Sequence, residues 1–306
     1  MITRLKKLAR EHILPLLRVF YPLIEKKLPV LNILTDMETL ELVAYKGLSC
    51  VRFGDGEFNI LFKGSAGATG YQKGSFLLQR KLEETLNSNN KNLIICVPFF
   101  FSKRHMLQAE KFYKQDTINF WKSYIVKNFF SLCKCLSNSK HYGCTEISRP
   151  YMCRLNNQTS SEVFLFYKAI FSKRKIVIVE GEKTYFGVGN DLLEYASSVQ
   201  RVVAPAINAF SRYEDILNVC LTFPKDRLFL VALGPTAKPL VFDLVKNNYQ
   251  AIDVGHLDIE YEWYLIGAKK KVSIKGKYVN ESDNSLLNEP ISTEKYKSEV
   301  VCDLST

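Results

Sequence analysis

Residues 228–245 decide the fold: Leu228-Phe229-Leu230-Val231-Ala232-Leu233, then Gly234-Pro235-Thr236-Ala237-Lys238-Pro239, then Leu240-Val241-Phe242-Asp243-Leu244-Val245. Six apolar residues without polar alternation suit a strand buried on both faces. The glycine and proline stop that strand, and the apolar stretch beyond them has helical length. Five further runs repeat the strand part, at 48–53, 93–97, 176–179, 202–204 and 251–254. Between them lie helical patterns at 76–86, 163–171, 190–196, 213–220 and 238–247. Strand and helix alternating in this way predict an α/β fold, with a Rossmann-like, mostly parallel sheet flanked by helices.

Away from this centre the sequence changes character. Residues 1–35 read as an N-terminal basic amphipathic segment. Leu5, Leu8, Ala9, Ile13, Leu16 and Leu17 recur at helical spacing against Arg4, Lys6, Lys7, Arg10 and Arg18. Pro15, Pro22 and Pro29 divide it into short pieces. The pattern suits a peripheral membrane or partner contact through residues 1–33, and equally a helix packed on the rest of the chain. Residues 36–270 form the α/β domain, with the aromatic- and lysine-rich stretch 99–170 as a helical insertion. Residues 271–306 turn polar and read as a loosely ordered tail.

Composition narrows the class. With 306 residues, 47% of them hydrophobic and 24% charged, the chain can bury a sizeable core, which excludes disorder and coiled coil. No apolar run reaches the roughly 18 residues a spanning helix needs. Arg10, Arg18 and Glu25 interrupt the first thirty residues and no small-residue cleavage site follows, so no signal peptide is expected. The eight cysteines show neither paired zinc spacing nor a secretory context, which points to free thiols in the cytoplasm. The net charge of +11 comes without any nucleic-acid-binding motif. It suits instead an anionic substrate such as a nucleotide phosphate, or the inner face of a membrane.

Ligands in such sheets bind beyond the carboxyl ends of the strands. There the sequence places Arg52-Phe53-Gly54-Asp55-Gly56-Glu57, Glu180-Gly181-Glu182-Lys183, Gly234–Lys238 and Gly255-His256-Leu257-Asp258. In an extended chain Asp55 and Glu57 face the same way and can share one hard cation, Mn²⁺ or Mg²⁺, with substrate phosphates. Arg52 offers a bidentate contact to phosphate or carboxylate. Gly234, Thr236 and Lys238 open a helix and make a reasonable phosphate cradle, although the Walker spacing is missing. Asn190 or Asp191 would cap a helix after Gly187-Val188-Gly189. In His256-Leu257-Asp258-Ile259-Glu260-Tyr261-Glu262-Trp263, a strand puts His256, Asp258, Glu260 and Glu262 on one face. A helix pairs His256 with Glu260 and Asp258 with Glu262 instead. Either way a carboxylate for general-base work lies beside a histidine able to bind phosphate or metal.

These motifs, with 179–183, 187–191, 233–238 and 253–263 following Arg52–Glu57 in order, resemble the GT-D fold glycosyltransferases, whose founding members glucosylate serine-rich repeat adhesins of streptococci. The similarity covers roughly residues 40–268. It implies a UDP-sugar donor and a glycan acceptor on protein or lipid, with a metal motif at Asp55 and Glu57. It also implies Glu262 as general base, His256 near the donor phosphates, and Arg52, Gly54, Asn190, Gly234, Thr236 and Lys238 around the nucleotide-sugar pocket. The residue pattern alone does not separate Glu262 from Glu260 or Asp258. A metal-dependent nucleotide-sugar hydrolase or phosphotransferase, and a non-catalytic nucleotide-sugar-binding subunit, remain as alternatives.

Overall fold

A computed structural model of the chain describes residues 14–67, 69–278 and 293–306. Nine strands form one sheet: β1 Asn32–Ile33, β2 Ser49–Arg52, β3 Leu93–Val97, β4 His141–Cys144, β5 Lys175–Gly181, β6 Ser198–Ala204, β7 Leu228–Ala232, β8 Gln250–Asp253 and β9 Val300–Asp303. The helices that flank it are α1 Asp36–Tyr45, α2 Asp55–Lys63, α3 Phe76–Leu86, α4 Gln115–Cys135, α5 Asn157–Phe171, α6 Tyr213–Leu221, α7 Ala237–Lys246, α8 Leu257–Leu265 and α9 Glu294–Glu299. The strand order is β1-β4-β3-β2-β8-β7-β5-β6-β9, and every pairing is parallel.

Parallel strands need crossovers, and right-handed crossovers assign each helix to a face. The steps β1 to β2 and β4 to β5 run one way across the sheet, which puts α1 and α5 on one face. The steps β2 to β3, β3 to β4, β6 to β7 and β7 to β8 run the other way, which puts α2, α3, α4, α6 and α7 on the opposite face. The packing agrees: α1 and α8 lie against α5, while α3 and α6 lie against α7. Of the central strands, β2, β3 and β5 are buried, apart from Lys175 at the start of β5, which is why they lack polar alternation. The chain leaves β2 toward β3 and leaves β8 toward the other edge. The β2/β8 junction, with Cys50 opposite Ile252, is therefore the switch point where such folds open a crevice.

Three expectations are corrected. The stretch 99–170 is no insertion: it supplies β4 and the crossover helices α4 and α5. Its one short strand, His141-Tyr142-Gly143-Cys144, carries too few β-branched residues to stand out in the sequence. The described residues after 270, 271–278 and 293–306, are not a loose tail. Of those described, Lys277 is buried, and β9 extends the sheet beside β6. Arg201 on β6 locks this end by donating to Glu299 and Glu180, both at 2.7 Å. Residues 190–196 form turns rather than a helix. At the N-terminus, Leu14–Leu17 and Tyr21–Glu25 are helical and pack on α4, and residues 1–13 lie outside the described residues. All eight cysteines are free.

Candidate active site

The crevice begins where β2 ends. Arg52 closes the strand, Gly54 caps α2 in an extended conformation, and its N–H donates to Glu57 Oε2 at 2.8 Å. Asp55 and Glu57 are thus in a helical first turn, about 200° apart around the axis, and do not face the same way as an extended chain would place them. The Glu57 carboxylate is buried and turned inward. Lys238 of α7 donates to Glu57 Oε1 at 2.8 Å, to Asp253 Oδ2 at 3.0 Å and to the Gly234 carbonyl at 3.0 Å. An ammonium has three N–H bonds, and these acceptors use all of them. Lys238 is therefore an internal strut tying α7, β8 and α2, and not the free phosphate ligand expected of it. Burial alone would raise the Glu57 carboxyl, but Lys238 and the Gly54 N–H hold it below its ordinary value.

Beside this cluster Arg52 is only 6% exposed. Its Nε and Nη1 have no hydrogen-bond partner among the described residues, and neither has Asp253 Oδ1. Gly255, at φ +48°, lies so close over it that a Cβ would come within 2.2 Å of the guanidinium. The turn after β8 must therefore be glycine for the arginine to lie beneath it. Gly234 has the same constraint at φ +52°, where a Cβ would meet the Tyr71 ring at 2.3 Å. Thr236 is buried and its hydroxyl donates to Gln72 Oε1 at 3.2 Å, so it anchors the Tyr71 loop rather than a phosphate. Burial pushes the Tyr71 hydroxyl up. Glu57, Asp253 and Asp55 push the same way and Arg149 opposes them, which places Tyr71 within the field of both ends of the crevice.

The second half of the site is α8. The sequence left strand and helix open for 256–263, and the chain is helical from Leu257 with His256 as its N-cap. Arg149 Nη2 donates to His256 Nδ1 at 3.1 Å, which makes that ring nitrogen the acceptor and sets the guanidinium at the mouth of the turn. Helical spacing brings Asp258 and Glu262 together, one turn apart, around a single ammonium. Lys277 Nζ donates to Asp258 Oδ2 and to Glu262 Oε1, each at 2.7 Å. Asn190 Nδ2 reaches the same two acids at 2.8 and 2.7 Å, and the Gly187 N–H donates to Asp258 at 2.8 Å. Asn190 thus caps no helix. Its Oδ1 instead accepts from the Leu192 N–H in a local turn, while its amide clamps the acids. Lys277 is 1% exposed. Burial would lower its ammonium, and the two carboxylates overcome that and raise it.

The three acids of α8 now separate. Glu260 is buried, and its Oε2 accepts the N–H groups of Tyr151 and Met152 at 3.0 and 2.7 Å, which commits it to fixing that loop. Asp258 accepts three donors. Glu262 is the most accessible of them, with 13% of its side chain exposed, and both of its donors land on Oε1.

No three His, Cys, Asp or Glu among the described residues are grouped to hold a metal ion. Glu57 is engaged by Lys238, so the paired Asp55/Glu57 ligand set is not assembled. Asp55 alone, in the first turn of α2, fits a cation that takes its remaining ligands from substrate phosphates.

Sequence reasoning missed Tyr71, Arg149, Asp253 and Lys277. Asp253 had a signal, an acid closing an apolar run. Tyr71 had one too, since it lies among Gly64, Gly67, Gly70 and Gly74, where a Cβ on Gly74 would overlap the Gly67 carbonyl. Arg149 and Lys277 sit in polar stretches that mark neither.

Comparison with known proteins agrees with this architecture. Residues 50–282 match the family described as Glycosyltransferase GT-D fold. The chain is 33% identical over 279 residues to the probable glycosyl transferase Gly of Streptococcus gordonii, covering 90% of this chain and 39% of that protein. It is likewise 33% identical over 279 residues to glycosyltransferase GlyD of Streptococcus pneumoniae serotype 4, covering 91% of this chain and 33% of the relative. The chain therefore spans between a third and two fifths of the length of these curated relatives. A solved structure described as the highly conserved domain of unknown function 1792, with a distinct glycosyltransferase fold, superposes with a TM-score of 0.85 at 35% identity. That match covers 93% of this chain and 99% of the solved one. The chain belongs to the GT-D fold glycosyltransferase family.

Proposed function

We propose that the chain transfers a hexose, glucose or galactose, from a UDP-sugar to a hydroxyl of a glycan acceptor carried on protein or lipid. The observation that carries the reading is Arg52: a buried guanidinium with two unsatisfied donors at the β2/β8 crevice. A buried cation without a partner is costly, and a diphosphate would satisfy it. Arg149, with the His256 imidazole against it, extends the cationic surface from there toward α8. The N-terminus of α2 adds its dipole on the other side. A divalent cation, Mn²⁺ or Mg²⁺, would be held by Asp55 with the donor's own phosphates, and when bound it neutralises charge on the departing UDP.

Glu262 is the general base. Lys277 and Asn190 hold its Oε1, which orients the carboxylate, while Oε2 takes the proton of the acceptor hydroxyl. One base without a second carboxylate nucleophile favours inversion at the anomeric carbon, by analogy with glycoside hydrolysis.

The test is incubation with a panel of UDP-sugars and Mn²⁺, with and without acceptor glycans, reading released UDP and glycosylated acceptor. Acceptor-dependent UDP release supports the reading. Equal release without acceptor makes the chain a nucleotide-sugar hydrolase, and donor binding without release makes it a non-catalytic subunit.

A further inference from the structure

The N-terminal helical turns carry apolar residues on both faces. On the inner face Tyr21 and Leu28 join the core, Ile24 packs against it, and the Lys122 ammonium lies 5.7 Å from the Tyr21 ring centroid. On the outer face Leu16 is 65% exposed, Val19 69%, Phe20 53% and Leu23 70%. The chain is helical through all four, with a 3₁₀ turn at Arg18–Phe20 between the α-helical turns Leu14–Leu17 and Tyr21–Glu25, and all four lie on its exposed side. A helical segment that is apolar all round is normally covered on both sides, and one side here is already covered by α4. Phe130, on α4 itself, is 85% exposed.

The charge around the stripe selects what covers it. Arg18, Lys26 and Lys27 are exposed, and none of the three forms an ion pair among the described residues. Residues 1–35 contain Arg4, Lys6, Lys7, Arg10, Arg18, Lys26 and Lys27 against only Glu11 and Glu25. Two copies meeting through this face would bring like charges together, whereas an anionic bilayer receives both the apolar stripe and its basic rim. Among the described residues no helix is long and apolar enough to cross a membrane, so the contact is interfacial. We propose that the stripe Leu16, Val19, Phe20 and Leu23, rimmed by Arg18, Lys26 and Lys27, docks the protein on the surface of an anionic membrane. The inference does not depend on the reading of the active site.

The test is co-sedimentation of the full chain with vesicles of phosphatidylcholine alone and of phosphatidylcholine mixed with phosphatidylglycerol. Two variants accompany it: L16S/V19S/F20S/L23S, and R18Q/K26Q/K27Q. The wild type should bind the mixed vesicles, and bind them less as salt rises. The serine variant should lose at least about tenfold in partitioning with its melting temperature and oligomeric state unchanged. The charge variant should lose about fivefold for each cation near the surface. Absence of wild-type binding to mixed vesicles overturns the proposal. So does binding that the serine variant retains, or a wild-type dimer that the serine variant abolishes.

Discussion

Two buried lysines organise this molecule in the same way from opposite origins. Lys238 bridges Glu57 and Asp253, and Lys277 bridges Asp258 and Glu262. Lys238 comes from α7, within the strand–turn–helix unit that sets the fold, and its acids lie at the end of β8 and in the first turn of the helix that follows the neighbouring β2. Lys277 comes from the segment after α8 and reaches back over the helix just completed. The first cluster holds the sheet's switch point together; the second orients a carboxylate that still has an oxygen to offer. A buried ammonium between two acids is therefore a structural strut when every donor and acceptor lies in the core, and a positioning device when one acid opens to solvent.

Breaking the first cluster should have the largest effect. Lys238→Met strands two buried carboxylates, and a loss of about 3–5 kcal/mol of stability is expected, read by denaturant unfolding. Wild-type stability in that variant would remove Lys238 from its strut role. Lys277→Met should cost less, roughly 1–3 kcal/mol, because Asn190 and the Gly187 N–H still serve the acids. Its larger consequence is kinetic: kcat should fall roughly 10²-fold through misplacement of Glu262, with donor affinity kept. Lys277→Arg, which preserves the charge, should recover part of that loss. Equal losses in kcat and donor affinity would instead make Lys277 part of the donor pocket.

The smallest effects are those of pH, and they differ in sign between the clusters. The Glu57 carboxyl is held below its ordinary value of 4.5. Its contribution is therefore present above that value and is lost as pH falls through the lower folded one. The Lys277 ammonium is held above its ordinary value of 10.5, so its contribution is full below that value and is lost as pH rises through the higher folded one. Unfolding free energy followed across pH should show an acid limb that Glu57→Gln flattens and an alkaline limb that Lys277→Met flattens. Identical limbs in the variants and the wild type would dissolve the contrast.

The same contrast explains what the sequence makes legible. The strands near the centre announce themselves because burial on both faces demands uninterrupted apolar runs, and the residues closing those runs include Arg52, Gly234 and Gly255. The edge strands β1 and β9, and β4 beside β1, have only two or four residues each, too short to leave a pattern. The acids Asp55 and Glu57 stand out in the sequence, yet they do not adopt the extended pairing it suggests. The glycines flanking Asp55 suit an extended turn as well as a helix start, and only the packing of α2 under Lys238 decides between them. Lys277 leaves no trace because its partners, Asp258 and Glu262, are set by the far end of a different motif. Buried cross-chain charge pairs are long-range facts, invisible to periodicity.

The most direct measurement of the central claim, that the Arg52 end binds the donor while Glu262 acts on the acceptor, is calorimetric donor affinity beside turnover in Glu262→Gln. The account predicts that UDP-sugar binding stays within about twofold of wild type while transfer falls by roughly 10²–10⁴-fold, the usual worth of a general base. Donor binding lost together with transfer would contradict it, placing Glu262 in the donor pocket and leaving Asp258 or Glu260 to take the proton.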